Sequence, residues 1–150
     1  MKINYKVITL ILGILLLFLL IAKIDSLSSF TPSANINGHV FSLYLAKTSR
    51  DQEVGLAKFN RIDNNKGMLF IFDKSDYYSF WMKNMKFPID IIFINQTKIV
   101  DIFQNVPVQK NNNNLPTYTT GEKADKVLEI NSGLINDYKI KVGENISLNL

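Results

Sequence analysis

A stretch of mixed chemistry lies near the middle of the chain, between residues 79 and 94. Because side chains alternate between the two faces of a strand, a strand beginning at Ser79 puts Ser79, Trp81 and Lys83 on one face. An indole beside amide, ammonium and carboxylate groups suits a polar or sugar-like ligand. The stretch therefore predicts one wall of a ligand site, made by Ser79, Trp81, Lys83, Asn84 and Asp90.

The same residues also allow a purely structural interpretation. Asp90 heads a run of apolar residues, and a carboxylate buried there must be paired or hydrogen-bonded. Its nearest partners in sequence are Lys83 and the backbone N–H groups of the turn between residues 83 and 88. Asn84 would then adopt a left-handed conformation in that turn, and Trp81 would lie in the core. The sequence leaves both interpretations open.

One further carboxyl group, Glu129, is embedded in a strongly apolar strand pattern. Two carboxyl groups with separated pKa values can perform general acid–base hydrolysis, for example of a glycan. The sequence does not bring Asp90 and Glu129 together, and independent pairing of each is the alternative. Apart from these two candidates we name no catalytic residue, and we expect a binding protein rather than an enzyme.

The sequence indicates neither a metal site nor a cofactor. It contains no cysteine, which excludes disulfides, thiol catalysis and thiolate ligands. Met82 and Met85 could offer soft ligands to Cu(I), but methionine is a common filler of protein cores. We also find no Gly-rich phosphate-binding fingerprint. We therefore predict no metal and no cofactor.

The first 25 residues predict a membrane-directed segment. From Val7 to Ala22 the chain is apolar apart from one threonine and one glycine, and Lys2 and Lys6 precede this run. Preceding lysines keep the start of such a segment on the cytoplasmic side. The length of the run falls between a signal peptide and a spanning helix, so an uncleaved anchor and a cleaved signal both stay open. Both place the following domain outside the cytoplasm, either tethered to the bacterial cytoplasmic membrane through residues 7–22 or exported.

The rest of the chain predicts one domain behind a polar linker, with boundaries at residues 1–25, 26–35 and 36–150. After residue 28 there are 14 Lys and Arg residues against 12 Asp and Glu, and the basic residues are scattered. Such a balance does not favour nucleic-acid binding. A protein partner is not indicated by any pattern.

Short strand patterns dominate this domain. Val40–Leu45 alternates, Ile89–Ile94 is apolar on both faces apart from Asp90, and Ser49 with Gln52 forms a capping box that starts a short helix. A second short helix is expected after Ser132. The pattern predicts a mainly β fold, either a β-sandwich or a partly open barrel, with two short helices.

Several stretches match a known family. They are Gly67–Phe72, Phe80–Asn84 and Pro88–Ile94, with weaker matches at Val127–Ile130 and Lys141–Glu144. In these stretches the chain resembles the bacterial and archaeal "domain of unknown function 192" proteins. The resemblance implies a compact β-rich fold and frequent export behind a signal or anchor, and it implies no activity and no catalytic residues.

Two positions depart from the family's pattern. Gly55–Phe59 stands where the family often has Gly-Leu-Met-Phe-Arg, and only Pro107 stands where it often has a Pro-Cys-Pro-like element.

Three functions follow as hypotheses. The first is an extracytoplasmic, membrane-tethered binding or accessory module for an envelope glycan or small polar ligand, with the Gln104–Gly121 loop as a candidate lid. The second is an envelope hydrolase that uses Asp90 and Glu129. The third is a structural or assembly partner without a small-molecule ligand.

Overall fold

The computed structural model describes residues 5–25, 31–110 and 114–150. The chain divides into two compact units, Met1–Phe30 and Thr31–Leu150. The described part of the first unit is one helix, α1, from Tyr5 to Asp25. Within the described residues, no helix combines the length and the apolar character that a membrane crossing requires. Membrane contact through residues 7–22 stays a prediction, and the first half of the predicted linker, residues 26–30, lies outside the described residues.

The second unit is built from short strands with few helical residues. Its described strands are β1 (Ser33–Ile36), β2 (His39–Ala46), β3 (Lys66–Asp76), β4 (Ser79–Trp81), β5 (Ile89–Asn95), β6 (Lys98–Val106), β7 (Thr117–Thr119), β8 (Ala124–Asn131) and β9 (Ser147–Asn149). Its described helices are α2 (Ser49–Val54) and α3 (Leu134–Asp137), and a 3-10 turn at Gly55–Lys58 follows α2. The predicted mainly β fold with short helices is confirmed.

Seven strands form one curled sheet in the order β6-β5-β8-β3-β2-β1-β9. Neighbouring strands run antiparallel except β2 and β3, which are parallel. The start of β6 also bridges to the segment before β9 through Lys98 and Asn145, and the backbone N–H of Ile146 donates to the carbonyl of Thr97 at 2.8 Å. The sheet is therefore a half-barrel whose two edges approach each other at one end.

The parallel pair requires a crossover connection, because two adjacent parallel strands cannot be joined by a tight turn. Helix α2 and the 3-10 turn make that connection between β2 and β3. Helix α2 begins one residue earlier than the capping box predicts: the hydroxyl oxygen of Thr48 accepts the backbone N–H of Asp51 at 3.1 Å. This crossover passes over the face of the sheet that carries the candidate site.

Apolar side chains cover both faces of the curled sheet. On one face, Leu69, Ile92 and Leu128 pack with residues from α3 and the segments around it. On the other face, strands β4 and β7 form a separate two-stranded sheet, and Phe80 of β4 meets Phe93 edge-on, with ring centroids 5.7 Å apart. Burial of side chains of this size contributes about 1.5–3 kcal/mol each.

Two short strands lie where the sequence predicts irregular chain. Strand β1 starts at Ser33, inside the predicted linker, and pairs with both β2 and β9. Strand β7 lies inside the Gln104–Gly121 segment and pairs with β4, with Tyr118 opposite Phe80. The described part of that segment therefore contributes a strand that covers the sheet.

Candidate functional site

Asp90 is fully buried, and both of its carboxylate oxygens accept backbone hydrogen bonds. Oδ1 accepts the N–H of Asn105 at 2.7 Å, and Oδ2 accepts the N–H of Ile135 at 2.8 Å. Ile135 belongs to the first turn of α3, whose N-cap, Gly133, has no side chain that could cap it. The first N–H groups of a helix have no hydrogen-bond partner within the helix. Asp90, on strand β5, accepts one of these N–H groups and so acts as the cap of α3.

The predicted partners of Asp90 are therefore wrong. The carboxylate does not bond to the turn between residues 83 and 88 but links β5 to the end of β6 and to α3. Asn105 adopts a left-handed conformation with φ of 53°, and its Oδ1 accepts the hydroxyl of Ser132 at 2.8 Å. Asp90 thus links three segments of backbone. Its side chain is not part of the predicted ligand wall.

Glu129 lies on the opposite face of the sheet from Asp90. In the antiparallel β5–β8 pair, Asp90 stands opposite Ile130, and Ile91 stands opposite Glu129. Residues that are paired across a sheet share a face, and consecutive residues alternate between faces. The two carboxyl groups therefore do not meet in one cleft, as the acid–base pair of a hydrolase would require.

A cavity of about 180 Å³ opens on the Glu129 face, between the crossover connection and strand β4. It brings together three of the predicted ligand residues, Ser79, Trp81 and Lys83, with side chains from β3, β8 and α2. The residues that line it are Gln52, Glu53, Val54, Gly55, Phe70, Phe72, Tyr78, Ser79, Phe80, Trp81, Lys83, Met85 and Glu129. We call this space the Glu129 cavity.

Glu129 is the buried polar group of this cavity. The residue is 5% exposed, and Oε2 has no hydrogen-bond partner within the part of the chain that the structure describes. Burial raises the pKa of Glu129 from 4.5 to about 8, although a backbone hydrogen bond from Leu56 acts in the opposite direction. Burial disfavours the charged form of a carboxyl group, so Glu129 is mainly a neutral acid at pH 7.

Gly55 keeps space open beside this acid. Its backbone has φ of 52° and ψ of −143°, a conformation that essentially only glycine adopts. A Cβ atom at this position would lie 3.2 Å from Cζ of Phe70 and 3.8 Å from Oε2 of Glu129. The missing side chain therefore forms part of the cavity.

Aromatic rings form most of the remaining wall. Phe72 and Tyr78 stack with centroids 3.7 Å apart, and Phe70 meets Phe80 edge-on at 4.9 Å. At the mouth, Trp81 is 49% exposed, and Nζ of Lys83 lies 5.5 Å from the centroid of its ring. Rings of this kind offer a ligand large apolar contact at low cost in conformational entropy.

Ser79 and Asn84 lie at the edge of the Glu129 cavity. Ser79 is exposed, and its hydroxyl shares a hydrogen bond of 2.6 Å with that of Thr119 on β7. Asn84 lines a second, adjacent pocket with Lys83 and has φ of 60°, so the predicted left-handed conformation is confirmed.

The sequence patterns do not predict that the crossover connection, including Gln52 and Gly55, contributes to the site. Gln52 donates through Nε2 to the carbonyl of Ile71 at 2.9 Å, which ties α2 to β3 at the cavity. A glycine directly after a short helix is a signal for a helix end, and Gly55 carries that signal. Nothing in the local pattern indicates that it faces Glu129, which is 74 positions away by residue number.

The fold and the cavity define a small half-barrel domain with one buried acid in an aromatic pocket. The model of the domain of unknown function 192 family, described as "Uncharacterized ACR", matches residues 32–148. The chain belongs to this family, as the resemblance of its motifs indicates.

Two solved structures have a similar fold. A crystal structure of a protein of unknown function from Novosphingobium aromaticivorans DSM 12444 is 30% identical, with a TM-score of 0.69 over 78% of this chain and 83% of that one. A protein from Sinorhizobium meliloti 1021, named as a candidate transcription regulator, is 26% identical, with a TM-score of 0.69 over 80% of this chain and 95% of that one. No curated protein matches the chain.

Proposed function

We propose that the second unit is a binding module for a small polar ligand, which occupies the Glu129 cavity. The observation that carries this proposal is the buried Oε2 atom of Glu129, which has no hydrogen-bond partner among the described residues. Buried polar atoms are nearly always satisfied in folded proteins, and leaving one unsatisfied costs about 1–3 kcal/mol. A ligand that bonds to this oxygen would recover that free energy.

The surroundings of Glu129 support the same proposal. Binding sites for small molecules are concave, mostly apolar, and carry few polar groups that fix the ligand's orientation. The Glu129 cavity has aromatic walls, one buried acid and a polar mouth at which Trp81 and Lys83 lie. An exposed indole at the mouth suits the apolar face of a sugar-like ring.

We further propose that this module acts at the cell envelope, outside the cytoplasm. Its support is the sequence alone: the apolar run from Val7 to Ala22 follows Lys2 and Lys6, the order that directs the following domain across a membrane. A phosphatase that is active only outside the cytoplasm, fused after Leu150, should then be active in cells. A fusion that is inactive, although produced in full, contradicts this location.

A hydrolase that pairs Asp90 with Glu129 is not favoured, because the two carboxyl groups lie on opposite faces of the sheet. If a ligand screen finds no ligand, that result would favour the third function, an assembly partner without a small-molecule ligand.

The direct experiment is a thermal-shift screen of the full-length chain against monosaccharides, polyols and small ring-containing amides. A ligand of the Glu129 cavity should raise the Tm, and the effect should be lost in Trp81→Ala while the variant stays folded. Tyr77→Ala is the matched control, because Tyr77 is a similarly exposed aromatic residue that does not line the cavity. A panel without any hit, or a hit that Trp81→Ala leaves unchanged, contradicts the proposed site.

A further inference from the structure

We infer that the Glu129 cavity selects an uncharged, single-ring ligand that offers a hydrogen-bond acceptor oxygen to the carboxyl group of Glu129. This inference rests on the proposed function and names the chemical class of its ligand. Three features of the cavity carry it: the orientation of the acid, the character of the wall and the size of the space.

The acid faces the cavity with an atom that is free to bond. Oε2 of Glu129 is buried, has no partner in the described part of the chain, and lies beside the space that Gly55 leaves open. A neutral carboxyl group carries one O–H donor besides its acceptor oxygens. The group at the closed end of the cavity therefore donates a hydrogen bond, and the matching ligand atom is an acceptor such as a carbonyl or hydroxyl oxygen.

The wall is unsuited to a charged ligand. The titratable groups that line the cavity besides Glu129 are Glu53 from α2, and Tyr78 and Lys83 on either side of β4. Glu53 and Lys83 are exposed and of opposite charge, so they give the mouth no net charge. An anion bound deep in the cavity would lose its water among aromatic rings without a cationic partner there, and burial of an unpaired charge is strongly unfavourable. A cation would require Glu129 to ionise, which its burial opposes.

The volume of the cavity suits a ligand of one ring. A cavity of about 150 Å³ is enough for benzene, whereas drug-sized ligands occupy about 300–1,000 Å³. The Glu129 cavity measures about 180 Å³. A six-membered ring with one oxygen-bearing substituent fits these limits.

Binding in the Glu129 cavity should depend on pH. Since only the neutral acid can donate, the ligand's affinity should be constant at low pH and fall once the pH rises through the pKa of Glu129, about 8. Above that pH the fall should approach about tenfold per pH unit. Glu129→Gln keeps a donor of similar shape in its amide group, so it should bind without this pH dependence. Glu122→Gln, a change of an exposed side chain that does not line the cavity, should keep the pH dependence.

The experiment compares three probes of nearly equal size that differ in charge: benzamide, benzoate and benzylammonium. Each is titrated into the full-length chain between about pH 6 and about pH 9, with the indole N–H signal of Trp81, the one tryptophan of the chain, as the reporter of the site. Benzamide should bind at least about tenfold more tightly than either charged probe at pH 7, since a tenfold ratio is only about 1.4 kcal/mol. Its affinity should fall above pH 8.

Several results would overturn the inference. They are tighter binding of benzoate or benzylammonium, benzamide binding that strengthens or stays constant up to pH 9, and an unchanged pH profile in Glu129→Gln. The pH series on the native chain does not depend on whether that variant folds. If no probe binds while a compound of the thermal-shift panel does, the inference fails alone; if the panel fails as well, the proposed function fails too.

Discussion

Gly55 and Glu129 meet at the cavity: a Cβ atom on Gly55 would lie 3.8 Å from Oε2 of Glu129. The crossover connection and strand β8 thus meet at this point. Gly55 contributes no side chain there, and Oε2 of Glu129 has no hydrogen-bond partner among the described residues. A glycine at position 55 therefore serves two purposes: it allows the backbone conformation, and it leaves space in the cavity for a ligand.

Gly55→Ala should therefore affect both stability and binding. The variant must hold alanine at a φ of 52° and a ψ of −143°, with its Cβ atom 3.2 Å from Cζ of Phe70. We expect a loss of about 1–3 kcal/mol in the free energy of unfolding and weaker binding of any ligand of the cavity. Urea denaturation measures the first effect, and titration of a panel hit measures the second. Gly121→Ala is the control, because a Cβ atom there meets nothing within 4 Å; equal losses in both variants would contradict this account.

The pH dependence of stability should carry the signature of Glu129. Its pKa is raised from 4.5 to about 8 in the folded protein, so between these pH values the folded state keeps a proton that the unfolded state has released. The contribution is therefore fully present below about pH 4.5 and is lost as the pH rises towards 8. The free energy of unfolding should fall by up to about 1.4 kcal/mol per pH unit in this window.

Urea denaturation at several pH values between about 5 and about 8 tests this slope. In Glu129→Gln the slope should be smaller than in the native chain, and in Glu122→Gln, a change away from the cavity, it should be unchanged. A native chain that gains stability across this window, relative to Glu129→Gln, would show that the acid is ionised in the folded state.

The strand patterns of the sequence predict much of the sheet but little of the site. Val40–Leu45 and Ile89–Ile94 are long enough, and regular enough, to indicate β2 and β5. The three residues of β7 are too few to show a strand pattern, and they pair with β4, which is distant from them in sequence. The separation of Asp90 from Glu129 depends on the register between β5 and β8, which local sequence does not encode.

Asp90→Asn should destabilise the fold without a direct effect on the cavity. An asparagine side chain has one acceptor oxygen, so its NH₂ group would face a backbone N–H of Asn105 or Ile135. Hydrogen bonds to charged groups contribute about 1.5–3 kcal/mol each, so we expect a loss of about 3 kcal/mol. Chemical denaturation of this variant beside Asp63→Asn, whose exposed carboxylate pairs with Lys66, provides the comparison. If both variants lose the same small amount, Asp90 does not hold the backbone as described.

Phe80→Ala should loosen the two-stranded sheet from the half-barrel. The Phe80 ring meets three others edge-on, those of Phe70, Phe72 and Phe93. Truncation of a core phenylalanine costs about 3–5 kcal/mol, and the half-buried position of Phe80 favours the lower end. Phe59→Ala is a matched variant, since Phe59 is also half-buried and, among the described residues, packs against one other aromatic ring, that of Tyr44. The melting temperature of Phe80→Ala should be the lower of the two, and the reverse order would contradict the packing role of Phe80.

The pairing of β1 with β9 has a consequence for how the domain is made. Ser33 stands opposite Asn149, so one edge of the sheet joins residues from opposite ends of the unit. Contacts between such distant residues form slowly, because a long loop must close before they contribute. During synthesis β1 is made before β9, so this side of β1 has no paired strand until β9 has been synthesised. This edge of the sheet is therefore completed only after the other described strands, β1 to β8, have been synthesised.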